Sequence, residues 1–302
     1  MSDIKLFQIK NSSVTELEGK SVQIEKSLQT LIEKNLDVFL GITFLESEYS
    51  TGIKHKGRID TLGIDENNCP VIIEYKRATN ENVINQGLFY LDWLLDHKET
   101  FQLLVQNKID KSTSEAIEWN SSRLICIAGD YTKYDTYAVE QINRNIELYR
   151  YKKFDDILLL ELVNSVSSSS KETKINSKSQ NSKTQPPVAD FLLKCSPQLQ
   201  DLYNSIKDYL FNLGSDVSLK ELERYFAFKK IKTFCSMKFQ PQTNTIVLWL
   251  RIDPNTIKLE KGFTKDVSKV GHHGIGSLEV RLRSYTDFEK AKPLILKSYE
   301  QN

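Results

Sequence analysis

Residues 57–77 read GRIDTLGIDENNCPVIIEYKR, and their pattern decides the architecture of the first half of the chain. Ile59, Leu62 and Ile64 give an apolar segment with Asp60 set into it. Asp65, Asn67, Asn68 and Pro70 follow, each favouring a bend for its own stereochemical reason. Val71, Ile72 and Ile73 then run into Glu74, Tyr75, Lys76 and Arg77. The stretch reads as strand, turn, strand. Side chains alternate along a strand, so Glu74 and Lys76 share one face while Ile73 and Tyr75 share the other. A hairpin brings Asp60 up beside Glu74. Two carboxylates and one ammonium then meet at the edge of an apolar sheet.

Glu-x-Lys by itself is an ordinary solvated strand end. Here the setting differs. Asp60 sits between apolar neighbours, where an unpaired carboxylate is costly. The run before Glu74 is wholly apolar, as in a strand covered on both faces. Buried acids beside a lysine mark a candidate site. Converging carboxylates suit a hard cation such as Mg²⁺. An adjacent lysine suits a water nucleophile or a phosphate.

Asp60, followed by Glu74-Tyr75-Lys76 at the end of an apolar strand, resembles the signature of the PD-(D/E)XK nuclease superfamily. GRIDTLGID followed by VIIEYKR is most similar to its NucS-like and Holliday-junction-resolvase-like branches, although Ile59 fills the place of the usual proline. The resemblance implies a restriction-endonuclease-like α/β fold, a mixed sheet flanked by helices. It also implies a metal-dependent endonuclease acting on DNA. Asp60 and Glu74 would ligate Mg²⁺ or Mn²⁺, and Lys76 would act on the attacking water or the phosphate. A glutamate of the first helix completes the family's acidic set. The segment VQIEKSLQTLIEKN (22–35) is similar to its Glu-x-x-Leu opening, which assigns that role to Glu25. Glu33 is the rival, about two helical turns later and on roughly the same face. QGLFY (86–90) resembles the Gln-x-x-x-Tyr motif of RecB-like nucleases and gives Gln86 and Tyr90, with Arg77, to neighbouring phosphates. The resemblance admits a homodimer, since such enzymes often pair to cut both strands. The alternative is a nucleic-acid-binding or assembly module on the same fold without catalysis.

The rest of the chain is consistent with two domains, as its 302 residues suggest. Residues 4–18 alternate around Asn11-Ser12-Ser13 as a short hairpin. Residues 22–35 carry Ile24, Leu28, Leu31 and Ile32 at helical spacing. Residues 38–50 read as a strand broken at Gly41, and the loop through His55 to Gly57 is basic. One long helix is expected over 81–107, with Val83, Ile84, Leu88, Leu91, Leu94 and Leu95 as its buried stripe. Strand 123–128, helix 136–145 and strands 146–151 and 157–163 complete an alternating α/β domain spanning 1–163. Serine, lysine, asparagine and glutamine dominate 164–187, the composition of a flexible linker.

Residues 188–302 form a second, α+β domain. Helices are expected at 189–193, 199–213, 218–225 and 287–300, with three strands between 226 and 253 and a fourth at 277–284. The phrases LGSDVSLKE, YFAFKKIKTF and GIGSLEVRLRS resemble an uncharacterised domain often found behind nuclease domains. Rings and lysines interleave from Tyr225 to Phe234, which suits stacking on bases. Strand alternation would instead bury the rings. His272 and His273 are glycine-flanked, and adjacency alone is weak evidence for a metal site.

A formal net charge of +1 argues against an all-over basic coat but allows a local groove. The four cysteines, 69, 126, 195 and 235, show no Cys-x-x-Cys pair, which fits a reducing cytoplasm. MSDIKLFQIK lacks the apolar core of a signal peptide, and no apolar run reaches the ~18 residues of a membrane span.

Overall fold

The computed structural model describes residues 4–19, 26–52, 57–76, 83–166 and 188–302. The chain divides into two compact units, Met1–Lys171 and Glu172–Asn302.

The first unit opens with an antiparallel hairpin, β1 (Leu6–Lys10) and β2 (Ser13–Leu17). Helices α1 (Lys26–Lys34) and α2 (Leu36–Leu40) follow. Residues 38–40 were expected in a strand and lie in α2 instead. Leu36 and Leu40, four apart and both buried, are the helical pair that overrides the strand preference of Val38 and Phe39. The strands β3 (Ile42–Ser50), β4 (Arg58–Asp65) and β5 (Pro70–Lys76) form an antiparallel meander. Helices α3 (Val83–Asp96), α4 (Lys98–Lys108) and α5 (Lys111–Glu115) lead to β6 (Arg123–Ala128). Helix α6 (Lys133–Glu140) leads to β7 (Asn145–Phe154), which turns into β8 (Ile157–Val166).

The expected single helix over 81–107 is two. The ring Nδ1 of His97 meets the carbonyl of Trp93 at 2.8 Å and takes a backbone acceptor, and the chain turns there. The helix expected at 136–145 starts three residues earlier, because Thr132 and Asp135 form a reciprocal capping box. Strand β8 runs three residues past the expected boundary at 163, and residues 167–187 lie outside the described part.

The sheet order is β3-β4-β5-β6-β7-β8, with β5-β6 and β6-β7 parallel and the other pairs antiparallel. It is a mixed α/β layer. Strand β5 sits inside it and is buried along nearly its whole length, as its apolar sequence requires. Val83, Leu91 and Leu94 of α3 pack with Leu62, Ile72, Leu124 and Cys126 of the sheet.

The second unit begins with α7 (Val188–Leu193) and α8 (Pro197–Asn212). Its strands are β9 (Ser218–Glu221), β10 (Phe226–Lys229), β11 (Thr233–Gln240), β12 (Thr245–Leu250), β13 (Thr264–Asp266) and β14 (Leu278–Leu282), closed by α9 (Tyr285–Glu300). The helix expected at 218–225 is the strand β9, whose Ser218–Glu221 pair along β10. All six strands are antiparallel, in the order β13-β14-β12-β11-β10-β9. Leu202, Ile206 and Leu210 of α8 and Phe288, Ala291 and Ile295 of α9 bury one face, against Cys235, Met237, Leu248 and Val280. Phe226, Phe228 and Phe234 belong to that core, so the ring-and-lysine stretch serves packing.

Candidate functional site

The site grows from the end of the β4–β5 ladder. Backbone pairing runs as far as Thr61–Ile73, which sets Asp60 opposite Glu74. Beyond that rung, side chains replace the ladder. The Asp60 amide donates to Glu74 Oε1 at 3.1 Å, and the Tyr75 amide donates to Asp60 Oδ2 at 2.9 Å. Each carboxylate therefore accepts from the other's strand. The two acids are fixed by main chain rather than by flexible partners.

Lys76 extends the same face by one strand period. Its ammonium donates to Gln86 Oε1 at 3.1 Å. Gln86 Nε2 donates to the Tyr90 hydroxyl at 3.2 Å, and the Arg58 amide donates to the same oxygen at 3.1 Å. Gln86 and Tyr90 are four apart on α3 and so lie on one helical face. Two glycines make the approach possible. A Cβ on Gly87 would lie 2.4 Å from Leu124 Cδ1, so only glycine lets α3 sit this low on the sheet. A Cβ on Gly57 would lie 2.5 Å from the Tyr90 ring.

Glu74 is wholly buried, and its Oε2 has no hydrogen-bond partner among the described residues. Burial pushes its pKa up to about 9, helped by the charge of Asp60 and opposed by the Asp60 amide and Lys76. Burial also raises Asp60, against the Tyr75 amide, which lowers it. Glu74 thus holds a proton at neutral pH when no cation is present. A buried acid of this kind gives up its proton when a positive ion arrives, which couples ion binding to proton release.

One acid near the site was invisible in the sequence reading. Glu48 pairs with Arg58 at 3.2 Å, and its charge raises the pKa of both Asp60 and Glu74. It follows a register shift in β3 and has φ 55°, so a strand pattern gave no sign of where it would point.

Glu33, the rival first-helix acid, is held by neutral donors, although its charge adds to the rise of the Asp60 pKa. Its Oε1 accepts from Gln29 Nε2 at 3.0 Å, Ser47 Oγ at 2.9 Å and Thr61 Oγ1 at 2.6 Å. Thr61 is one residue from Asp60 and so belongs to the other face of β4. Glu33 ties α1 to β3 and β4, and Gln29 adds a bond to the Asp60 carbonyl at 3.2 Å. Glu25 and Arg77 lie outside the described residues. Among the described residues no three of His, Cys, Asp and Glu are grouped to hold a metal ion. Asp60 and Glu74 supply two carboxylates, and the orphaned Glu74 oxygen fits a hard cation's need for oxygen donors.

At the opposite end of the same strands, Arg123 is buried between Asp65, at 3.3 Å, and Glu147, at 2.7 Å. This triad is structural. It closes the β5–β6–β7 end away from Lys76.

Comparison with known proteins adds little chemistry. The family described as "Domain of unknown function (DUF5655)" matches residues 188–302. An uncharacterised protein of Haemophilus influenzae is 29% identical over 302 residues, covering 97% of this chain and 98% of its own. No solved structure matches. Among the described residues no helix is long and apolar enough to cross a membrane.

Proposed function

We propose that the first unit is a metal-dependent deoxyribonuclease with a restriction-endonuclease-like core, hydrolysing phosphodiester bonds in DNA. The observation that carries this reading is the half-buried Asp60 locked against the buried Glu74, with a lysine one strand period on and an unpartnered Glu74 oxygen. Asp60 and Glu74, with Glu25 from the first helix, would hold Mg²⁺ or Mn²⁺. Such an ion, when bound, polarises a phosphoryl oxygen and acidifies its water. Lys76, steered by Gln86, would orient the attacking water or stabilise the charge growing on the phosphate. The Tyr90 oxygen already accepts two donors, which leaves its own proton to give to a flanking phosphate. Arg77 would add a second phosphate contact. All four cysteines are buried free thiols, which supports a reducing, cytoplasmic setting.

A second reading is a DNA-binding module without catalysis. It requires no metal and keeps the Lys76–Gln86–Tyr90 chain as a phosphate contact. A panel of labelled branched, mismatched, single-stranded and methylated DNAs, with Mg²⁺ or Mn²⁺, separates the two. Cleavage by the wild type and none by Asp60→Ala or Lys76→Ala supports the nuclease. Cleavage by Lys76→Ala at the wild-type rate overturns the assignment. No cleavage of any DNA, with no metal uptake by calorimetry, leaves the binding module.

A further inference from the structure

The second unit has its own cluster of charge, on the side of the sheet opposite α8 and α9. Strand alternation and register place Ser236 and Lys238 of β11 beside Trp249 and Val247 of β12 on this face. The loop after β13 folds over it. Ser236 Oγ accepts from the Ile275 amide at 2.8 Å, which pins the loop to the strand. His272 is thereby stacked on Trp249, with ring centroids 5.3 Å apart and planes 10° from parallel. The next residue, His273, receives a hydrogen bond from Arg224 Nη1 at 3.1 Å.

That last contact fixes a tautomer. A guanidinium has donors only, so His273 Nδ1 must be the acceptor and Nε2 must carry the hydrogen. The charges that act on His273 are Arg224, Lys238 and His272, and together with burial they hold its pKa below the ordinary histidine value. A neutral imidazole is what the Arg224 bond requires. Lys238 is partly buried and has no hydrogen bond or ion pair among the described residues. Its own pKa is lowered by burial and by Arg224. The nearest acid across β12, Glu279, is taken by Arg281 at 2.8 Å. The stack below the cations holds two further nitrogens, Trp249 Nε1 and His272 Nδ1, both buried and unpartnered.

The inventory is thus almost entirely donors: guanidinium, ammonium, the His273 Nε2–H and the indole N–H. Arg224 and Lys238 both act on His273, and neither has an ion pair with a carboxylate among the described residues. Like charges so placed are stabilised by an anion with several oxygens, and guanidinium and ammonium beside neutral donors match the phosphate group. We propose that Arg224, Lys238, His273 and the Trp249–His272 stack form a phosphate-binding site where the loop after β13 covers the second unit's sheet face opposite α8 and α9. The proposal does not rest on the chemistry of Asp60 and Glu74. The phosphate comes either from a free small molecule or from a polynucleotide backbone, and these two sources are separable.

The test uses the full chain, labelled with ¹⁵N. Trp93, Trp119 and Trp249 are its three tryptophans, so the indole region is simple, and Trp249→Phe assigns the reporting peak. Inorganic phosphate is titrated at constant ionic strength. The Trp249 peak should move saturably while those of Trp93 and Trp119 stay still. In Arg224→Gln/Lys238→Gln the apparent affinity should fall on the order of 100-fold, for loss of two charge-assisted partners. Backbone amide peaks of the second-unit core, such as those of Met237, Leu248 and Val280, that keep their dispersion in that variant show that the fold is kept. The titration is repeated with adenosine monophosphate and with a short single-stranded oligonucleotide. Saturation at far lower phosphate concentration by the oligonucleotide assigns a backbone source; equal behaviour assigns a small molecule. Either supports the site. No saturable movement with any probe, or the same movement in the double variant, overturns it. Neither outcome bears on DNA cleavage, which Lys76→Ala tests separately.

Discussion

Glu74→Gln isolates the burial of the carboxylate pair. Glutamine keeps the shape and keeps an oxygen for the Asp60 amide, but it cannot ionise. In the metal-free wild type, Glu74 has a pKa of about 9 folded against an ordinary 4.5. An acid with a raised folded value binds its proton more tightly when folded. Its stabilising contribution is therefore complete below the unfolded value and is lost as pH climbs toward the folded one. At ~1.4 kcal/mol per pH unit, the wild type should lose roughly 2–3 kcal/mol relative to Glu74→Gln between about pH 5 and pH 7. Taking the difference cancels most other titrating groups, including much of Asp60. The measurement is urea unfolding with a chelator present, followed by Trp93 and Trp119 fluorescence in a Trp249→Phe background. Adding Mn²⁺ should close the gap for the wild type alone. If the wild type and Glu74→Gln keep a constant difference across this range, Glu74 is ionised throughout and the buried-acid reasoning fails.

Two further outcomes follow from contacts already described. Arg123→Met removes the cation buried between Asp65 and Glu147 and leaves two uncompensated acids, so the first unit should lose about 3–5 kcal/mol in urea unfolding; a loss under about 1 kcal/mol would show that the acids relax into water. Gly87→Ala puts a methyl against Leu124 and should cost about 1–3 kcal/mol by overpacking. Because lifting α3 also draws Gln86 from Lys76, DNA cleavage should drop more than the stability loss explains, and equal cleavage at equal folded fraction would detach Gln86 from the chemistry.

The β4–β5 hairpin was legible because three local signals agree: alternation, a turn-forming insert and an apolar run. The same agreement placed Asp60 against Glu74 and, through helical spacing, Gln86 beneath Tyr90. Elsewhere the deciding contact is distant or lies in a backbone angle. Val38, Phe39 and Leu40 look like the start of a strand until the joint burial of Leu36 and Leu40 is known. The turn at His97 depends on one ring nitrogen finding a carbonyl. Glu48 approaches Asp60 only after a register shift, which leaves no trace in residue type. Thr61, the β4 partner of Glu33, and Asp60 are separated by a single step along β4, and that step decides which face of the sheet the glutamate serves. His272 and His273 were conspicuous as a pair, but their partners, Trp249 and Arg224, come from positions that no spacing rule connects.

Strand β3 is an outer strand of its sheet, and it is irregular where it passes the carboxylate pair. Its pairing slips between Phe44 and Glu46, Glu48 adopts a left-handed backbone, and Glu46 and Glu48 are tied to Lys108 and Arg58. Such a margin presents a bent row of amides studded with ion pairs, a poor template for annealing to a neighbouring polypeptide. Two copies of this protein meeting edge to edge would have to straighten it and break those pairs. Self-association by sheet extension is disfavoured along this border, which leaves the strand edge beside Asp60 unclaimed by a second sheet.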